Sequence, residues 1–278
     1  MSLYAVDDDD LISACEAEPG KIYWCVDCFG PVKRRRGKSW LPHFYHLTSA
    51  PTCRLYSKTE DHFLAQIQLE KQFPKGAIQL ERPFIKINRV ADACWEREKI
   101  AFEIQCSPIT EGEVEGRERD YQSIGYEVVW LLDDKRYNKR VLRPAEESLR
   151  KRNAYYICIQ RGLTSECYDQ FEVFAEGKRL KRGKSMRIDL QKIRRLDKKI
   201  FSEEAFPKQI TQLRLNLYFQ GSRMERALQG HPMTMQYWRG LEIQLGTKKK
   251  KSNRLKMWFS RHIGRPYLFL LNQLIKRM

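Results

Sequence analysis

Hydrophobic and polar positions follow two rhythms between residues 58 and 132, and each rhythm predicts a kind of element. From Lys58 to about Phe73 apolar residues recur every three to four positions, which predicts a helix ended by Pro74 and Gly76. Shorter apolar runs predict strands at 78–83, 89–95, 99–106 and 126–132, with a Glu- and Arg-rich helix at 111–124. This order predicts fold class α/β (α+β), a mixed sheet flanked by helices.

The segments on either side of this core read differently. Residues 21–58 are broken by polar residues and turns, which predicts short strands. Beyond residue 140 the pattern predicts strands at 154–161 and 170–173, a basic hairpin or loop at 177–183, and helices at 202–228, 235–245 and 254–278. We therefore expect three domains: a small module at 1–57, the sheet domain at 58–140, and a C-terminal domain at 141–278.

Charge divides along the same lines. Residues 1–140 contain 21 Lys and Arg against 23 Asp and Glu, whereas residues 141–278 contain 31 against 12. A basic C-terminal half favours a polyanionic partner, above all nucleic acid. No run approaches the ~20 apolar residues of a membrane span, and the acidic N-terminus lacks the layout of a secretion signal. We expect a cytoplasmic protein with no membrane partner.

A compact set of cysteines and histidines lies in the first module. Cys25 and Cys28 are two residues apart, a spacing that supplies two zinc ligands from one turn, and His43, His46 and Cys53 follow. These are three candidates for two places. His43 and His46 face opposite ways in an extended chain, so we expect Cys53 and one of the two histidines to complete a structural Zn²⁺ site. The alternative is a turn with incidental Cys and His residues.

A second set of residues is acidic. Asp92 ends a short segment, and Glu103 and Gln105 share the polar face of the next strand because they are two positions apart. The preceding helix adds Glu60 and His62. Carboxylates of this kind hold the divalent metal that phosphodiester hydrolysis requires, with Glu60 assisting and Gln105 positioning water or phosphate. Taken alone, the acids also fit ordinary exposed strand positions.

Together these motifs resemble the competence protein CoiA family over residues 20–135. The resemblance rests on Cys25-x2-Cys28, His43-Phe-x-His46, Cys53, Thr59-Glu-Asp-His62, Arg89-x2-Asp92, Phe102-Glu-Ile-Gln105-x-Ser107, Arg117-x3-Tyr121 and Val128-x-Trp130-Leu. It implies a PD-(D/E)xK nuclease core in which Asp92, Glu103 and Gln105 occupy the motif positions, with Mg²⁺ or Mn²⁺ on Asp92 and Glu103. Glu60 would be the helix acid, with His62 beside it.

The resemblance also implies a role in the processing and recombination of incoming DNA during natural transformation. Ser107, Arg117 and Tyr121 would line the phosphate path, unless they only pack or face solvent. The basic half has two runs of basic residues that either contact DNA or only face solvent. The first run has Lys178, Arg179, Lys181, Arg182 and Lys184, and the second has Lys248, Lys249, Lys250 and Lys251.

Three functions follow from this sequence. The first is a metal-dependent DNA endonuclease acting on single-stranded, duplex or branched DNA. The second is a non-catalytic adaptor that presents DNA to a strand-exchange recombinase. The third is an RNA-directed or restriction-type enzyme with the same fold.

Overall fold

The computed structural model describes residues 1–8, 10–37, 41–56, 58–160, 165–175, 177–196, 217–229, 233 and 235–245. The strands, in chain order, are β1 (Tyr4–Asp7), β2 (Asp10–Ser13), β3 (Ile22–Trp24), β4 (Pro31–Arg35), β5 (His43–His46), β6 (Gln79–Phe84), β7 (Arg89–Trp95), β8 (Ile100–Gln105), β9 (Glu127–Asp133), β10 (Ala154–Cys158), β11 (Glu166–Asp169), β12 (Glu172–Ala175), β13 (Lys178–Arg182), β14 (Met186–Arg187), β15 (Asp189–Arg195) and β16 (Leu217–Gln220). The helices are α1 (Glu60–Glu70), α2 (Glu111–Ser123), α3 (Asp134–Tyr137), α4 (Pro144–Leu149) and α5 (Arg223–Leu228). Residues 235–245 are also helical.

A seven-stranded mixed sheet forms the centre, in the order β14-β11-β10-β9-β8-β7-β6. Strands β8, β9 and β10 are parallel to one another, and the outer pairs are antiparallel. The predicted mixed sheet with flanking helices is confirmed. The predicted domain boundary at residue 140 falls between β9 and β10, which are neighbours in this one sheet.

Each face of the sheet carries a hydrophobic core. On one face, Phe102 and Ile104 of β8 pack in the same core as Phe63 and Leu69 of α1. On the other face, Ala101 packs with Val114 and Tyr121 of α2. Each helix is preceded by a capping threonine, Thr59 or Thr110, whose hydroxyl accepts from the backbone N–H three residues later. Because side chains alternate along β8, Glu103 and Gln105 point toward the α2 side.

The N-terminal module is a five-stranded antiparallel sheet in the order β2-β1-β3-β4-β5. A further bridge joins Ser2 to Phe44 of β5, with backbone N–O distances of 2.8 and 3.0 Å in the two directions. Tyr23, Val32 and Phe44 are buried in its own small core. The first strand also contacts the central sheet, since the backbone N–H groups of Leu3 and Tyr4 donate to Glu81 of β6.

One hairpin is inserted between β11 and β14 of the central sheet, and a second antiparallel strand pair and a short helix follow β14. Strand β12 pairs with β13, so the basic segment predicted as a hairpin or loop at 177–183 is one strand of a hairpin with Glu172–Ala175, and β15 pairs with β16. The helix predicted over 202–228 is wrong at residues 217–220 and right at Arg223–Leu228, which are α5. Leu217–Gln220 is a strand, because alternating Leu217 and Phe219 are fully buried in the main core and a helix would not place both there. Residues 202–216 and 254–278 lie outside the described residues.

No helix among the described residues is long and apolar enough to cross a membrane.

Candidate metal and active sites

The Cys/His cluster of the N-terminal module has the donor set and spacing of a zinc centre. Ligand atoms of Cys25, Cys28, His46 and Cys53 all lie within 4.8 Å of one another. The Cys25 and Cys53 sulfurs are 3.7 Å apart, and a tetrahedral site with Zn–S bonds of about 2.3 Å has S–S edges of about 3.8 Å. The Cys28 sulfur is 3.3 Å from Nε2 of His46. Three sulfurs and one imidazole at these distances are compatible with structural zinc.

The turn that presents Cys25 and Cys28 is held by its backbone. The Cys25 N–H donates to Gly30 O at 2.9 Å, and the Phe29 N–H donates back to Cys25 O at 3.0 Å. Gly30 leaves room for the cluster, since a Cβ there would lie 3.3 Å from the Cys28 sulfur. The thiol hydrogen bond from Cys53 lowers the pKa of Cys25 to about 5, so one thiolate is already favoured in the folded chain.

The structure separates the two histidines of the motif. His46, at the end of β5, belongs to the cluster. His43 is buried and hydrogen-bonded through Nδ1 to Leu41 O at 2.8 Å, and its ring stacks on Phe63 of α1 with centroids 6.3 Å apart. His43 therefore packs the module against α1.

The acidic residues converge in the central sheet, where Asp92 occupies an interruption in the strand pairing. Strands β7 and β8 pair at Ala93↔Phe102, Cys94↔Ala101 and Trp95↔Ile100, and the pairing stops before Asp92. There Oδ2 of Asp92 accepts from the Ile104 N–H at 2.7 Å. The side chain of Asp92 thus replaces a backbone acceptor and is fixed in the gap between the two strands.

Two cationic or potentially cationic side chains meet Asp92 from the α1 side. Nζ of Lys58 is 2.7 Å and Nε2 of His62 is 2.9 Å from the same oxygen, Oδ1. Burial alone would raise the pKa of Asp92, but His62 and Lys58 together lower it well below its usual value. Asp92 is therefore an ionised carboxylate in a buried setting.

Glu103 is held from the opposite face of the sheet. Arg117 of α2 donates to Oε2 at 2.6 Å, and the Tyr121 hydroxyl donates to Oε1 at 2.7 Å. Burial raises the pKa of Glu103, the charge of Arg117 opposes this rise, and the charge of Asp92 adds to it. Asp92 accepts from the N–H of Ile104, the residue after Glu103, so the two acids occupy adjoining positions on β7 and β8.

The other predicted site residues lie around these two acids. Gln105 is buried and donates from Nε2 to Ser107 O at 2.7 Å and to Ser107 Oγ at 3.2 Å. The Tyr137 hydroxyl donates to the same Ser107 carbonyl. Glu60 lies half-buried in the first turn of α1, two residues before His62. Tyr121 is fully buried, so it is not open to a phosphate, and its hydroxyl instead donates to Glu103.

Two residues of the site were missed by the sequence analysis. Lys58 bridges Asp92 and Glu81, with Nζ–O distances of 2.7 and 3.4 Å. Glu81 is fully buried and has a left-handed backbone, φ 49°, between the β6–β7 pairs Leu80↔Ala93 and Arg82↔Ala91. Such a conformation is strained for a non-glycine residue and occurs mostly where function requires it. Neither the burial of Glu81 nor its left-handed backbone could be read from the sequence, where it is one Glu among other polar residues.

Removal of the Lys58 charge should destabilise the fold. Lys58→Met keeps the length of the side chain but leaves Asp92 and Glu81 buried without their shared cation. We expect a loss of about 3–5 kcal/mol in the free energy of unfolding, measured by urea denaturation. The exposed Lys71→Met, at the end of α1, is the control and should change it by less than about 0.5 kcal/mol. Equal effects of the two substitutions would contradict the bridge.

Fit to a divalent metal differs between the two sites. Among the described residues, the Cys/His cluster is the group whose three or more ligand atoms already meet at metal-binding distances. The carboxylates of Asp92 and Glu103 are the hard oxygen donors that Mg²⁺ and Mn²⁺ prefer, and their present partners are cationic side chains. The chemistry of the donors fits, with Lys58 and Arg117 now supplying the neutralising charge.

The predicted DNA contacts of the basic hairpin separate into exposed and buried residues. Arg182 donates to Asn138 O and Oδ1 at 3.0 and 3.2 Å, next to the Tyr137 that contacts Ser107. The exposed members of the hairpin are Lys178, Lys181, Arg182 and Lys184. Lys248, Lys249, Lys250 and Lys251 lie outside the described residues.

Arg179 is a correction to this set. It is buried, its Nε is 3.1 Å from Glu172 Oε1, and it donates to the Tyr156 hydroxyl at 2.7 Å. Arg150 pairs with the other Glu172 oxygen at 3.0 Å. A guanidinium that neutralises a buried carboxylate is not presented to a phosphate, so Arg179 stabilises the fold instead.

This buried network predicts acid sensitivity. Burial would raise the pKa of Glu172, but Arg150 and Arg179 outweigh it and lower the pKa. The stabilisation by Glu172 is then present above its unfolded pKa of about 4.3 and is lost as pH falls below it. We expect Glu172→Gln to cost about 3–5 kcal/mol at pH 7, because two arginines lose their partner, and to weaken the dependence of stability on pH below about 4.3.

Urea denaturation between pH 7 and pH 3 measures both effects. The exposed Glu147→Gln, on α4, is the control and should keep the wild-type stability and pH profile. A Glu172→Gln protein as stable as wild type at pH 7, with an unchanged acid limb, would show that the network contributes nothing to stability.

Comparison with known proteins gives one match. Residues 58–164 match the family model described as competence protein CoiA, nuclease-like domain. The match begins at Lys58 and includes Asp92, Glu103 and Gln105, and it ends beyond β10 of the central sheet. No curated protein and no solved structure matches the chain. The segment from residue 58 to residue 164 is therefore a member of the CoiA nuclease-like domain family.

Proposed function

We propose that this protein is a metal-dependent DNA endonuclease that processes DNA for recombination during natural transformation. The observation that carries the proposal is the pair of buried carboxylates, Asp92 and Glu103, at the interrupted pairing of β7 and β8. Buried acids cost free energy unless their charge is used or neutralised, so two of them beside each other favour a functional site. Their position inside a nuclease-like domain supports hydrolysis of a phosphodiester.

In this proposal Asp92 and Glu103 hold Mg²⁺ or Mn²⁺, which when bound would activate water and neutralise charge on the phosphate. The Ile104 N–H and the Tyr121 hydroxyl fix the two carboxylates in place. Lys58 and Arg117 contribute positive charge beside the acids. His62, in contact with Asp92, is the group placed to hold a proton, and Gln105 positions water or phosphate near Ser107. Glu60 assists from the first turn of α1.

DNA would approach over the surface between α2 and the basic hairpin. Gln105 and the Tyr137 hydroxyl both donate to the Ser107 carbonyl. Arg182 of the hairpin donates to the carbonyl of Asn138, the residue after Tyr137. Lys178, Lys181 and Lys184 are exposed on that hairpin, and exposed cations gather phosphates through counterion release. DNA as partner, a strand-exchange recombinase acting downstream, and a cytoplasmic location are parts of the proposal.

A second function has its own supporting observation. Lys58 and Arg117 already pair with the two acids, so the site is largely neutralised by the protein itself. This charge balance favours a non-catalytic adaptor that binds DNA and presents it to a recombinase without a metal at the acids.

Cleavage of labelled single-stranded, duplex and branched DNA, with Mg²⁺ or Mn²⁺, separates these functions. Metal-dependent cutting is the result expected of the nuclease. Tight binding without cutting in either metal would favour the adaptor. Preferential cutting of a competing RNA would favour the RNA-directed alternative.

A further inference from the structure

On the outer face of the N-terminal sheet, aromatic, apolar and basic side chains lie together, of which Ile22, Trp24 and Arg35 are exposed and Lys33 and Tyr45 are half-buried. We define the outer patch as Ile22 and Trp24 on β3, Lys33 and Arg35 on β4, and Tyr45 on β5. Strand pairing joins Ile22 to Lys33 and Lys33 to Tyr45. Residues directly opposite each other on antiparallel strands share a face, so these side chains lie in one row, with Trp24 and Arg35 two positions along their strands.

The alternation of burial on β3 shows that this face points away from the module core, and at its far end His43, opposite Arg35, is covered by α1. Tyr23, between Ile22 and Trp24, is 1% exposed, whereas Ile22 and Trp24 are 48% and 47% exposed. Val32 and Phe44 on the neighbouring strands are fully buried. A tryptophan is a costly residue to leave half-exposed, and exposed aromatics together with apolar neighbours mark interaction sites.

The charge around the outer patch is positive. The segment between Cys28 and Thr59 has no Asp or Glu, and Lys33 and Arg35 of the outer patch lie within it. Two acids of the module are already matched by cations, since Asp7 pairs with Lys21 at 2.6 Å and Asp27 with Arg54 at 2.9 Å. A polyanion fits the charges of Lys33 and Arg35.

The aromatic residues decide which polyanion fits. The guanidinium of Arg35 lies over the Tyr45 ring, 6.0 Å from its centroid. Strands β3 and β5 are two strand spacings apart, about 10 Å, so Trp24 and Tyr45 are separate platforms. Unpaired bases stack on such rings while their phosphates contact neighbouring cations. In a duplex the base faces are already stacked on one another, so this combination favours single strands.

We propose that the outer patch binds single-stranded nucleic acid by stacking bases on Trp24 and Tyr45 and by holding phosphates with Lys33 and Arg35. This inference rests on the proposed nucleic-acid function and deepens it, because it assigns the recognition of the single-stranded form to the N-terminal module.

Binding of fluorescent oligo-dT to the full-length Glu103→Gln protein, without added Mg²⁺ or Mn²⁺, tests the proposal apart from cleavage. Fluorescence anisotropy should show a loss of about 10-fold in affinity for Trp24→Ala, the effect of one lost base–aromatic stack. Trp24→Phe, which keeps a ring, should lose much less. Duplex binding should change little in either variant.

The charged residues have a separate readout. Lys33→Gln combined with Arg35→Gln should reduce the slope of log affinity against log salt by about 1.4, since each contact with a single strand contributes about 0.7. Ile85→Ala and Lys86→Gln, which remove an exposed apolar and an exposed basic side chain elsewhere, are matched controls and should leave affinity and slope unchanged. Oligo-U in place of oligo-dT distinguishes RNA from DNA.

The outcomes separate this inference from the nuclease proposal. Unchanged single-strand affinity and salt slope in the Trp24 and Lys33/Arg35 variants, with zinc content retained, would overturn the patch even if the protein cuts DNA. Equal weakening for duplex and single strands in the charge variant, with no effect of Trp24→Ala, would also overturn it in favour of simple backbone binding. Loss of single-strand binding in these variants would support it even if no cutting is seen.

Discussion

Glu103→Gln is expected to lower metal-dependent DNA cleavage by ~10²-fold or more, because it removes one of two carboxylates available to hold the divalent ion. The substitution suits the site, since burial already raises the pKa of Glu103 and glutamine resembles the protonated acid. The amide oxygen still accepts from the Tyr121 hydroxyl, and Arg117, which loses its partner on Glu103, keeps its ion pair with Glu113. The fold should therefore survive, which urea denaturation of the variant checks before cleavage rates with Mn²⁺ are compared.

The control for this variant is Glu96→Gln, which replaces an exposed glutamate in the turn between β7 and β8. It should cut like the wild type. Full activity in Glu103→Gln would remove Glu103 from the catalytic site, and equal loss in both variants would indicate a nonspecific effect.

Cys53→Ser is expected to have the second large effect, the loss of bound zinc and the unfolding of the N-terminal module. Cys53 is buried and its sulfur meets that of Cys25 at 3.7 Å, so serine cannot supply an equivalent ligand. Structural zinc contributes free energy on the order of 10 kcal/mol in small modules. We expect zinc content, measured by elemental analysis, to fall from one equivalent to near zero, with loss of the module's resistance to proteolysis.

Two further variants sharpen this test. His46→Ala should also lose zinc, whereas His43→Ala should keep it, since His43 packs on Phe63. Cys15→Ser, at an exposed cysteine outside the cluster, should keep it as well. Retention of one zinc equivalent by Cys53→Ser and His46→Ala would contradict the assigned ligand set.

Local elements of the central sheet were predictable because their signal is local. The strand expected at 89–95 is β7, and the helix expected at 111–124 is α2 to within one residue. Apolar periodicity records which side chains are buried, and burial determines the element. The same reasoning put Glu103 and Gln105 on the face opposite Phe102 and Ile104, as observed.

Features that depend on distant residues were not predictable. The roles of Lys58 and Glu81 follow from the ion pairs that Lys58 makes with Glu81 and with Asp92, 23 and 34 positions later in the chain. Arg179 reads as one more member of a basic run, and only the position of Glu172 across the hairpin shows why it is buried. At Leu217–Gln220, packing into the main core overrides the helical pattern around it.

Binding of Mn²⁺ to the zinc-loaded protein, followed by electron paramagnetic resonance, tests the central claim most directly. The account predicts one Mn²⁺ site in the wild type that is lost in Asp92→Asn and in Glu103→Gln and kept in Glu96→Gln. Mn²⁺ bound equally by all four proteins, or DNA cleavage by a wild type that binds no Mn²⁺, would contradict it.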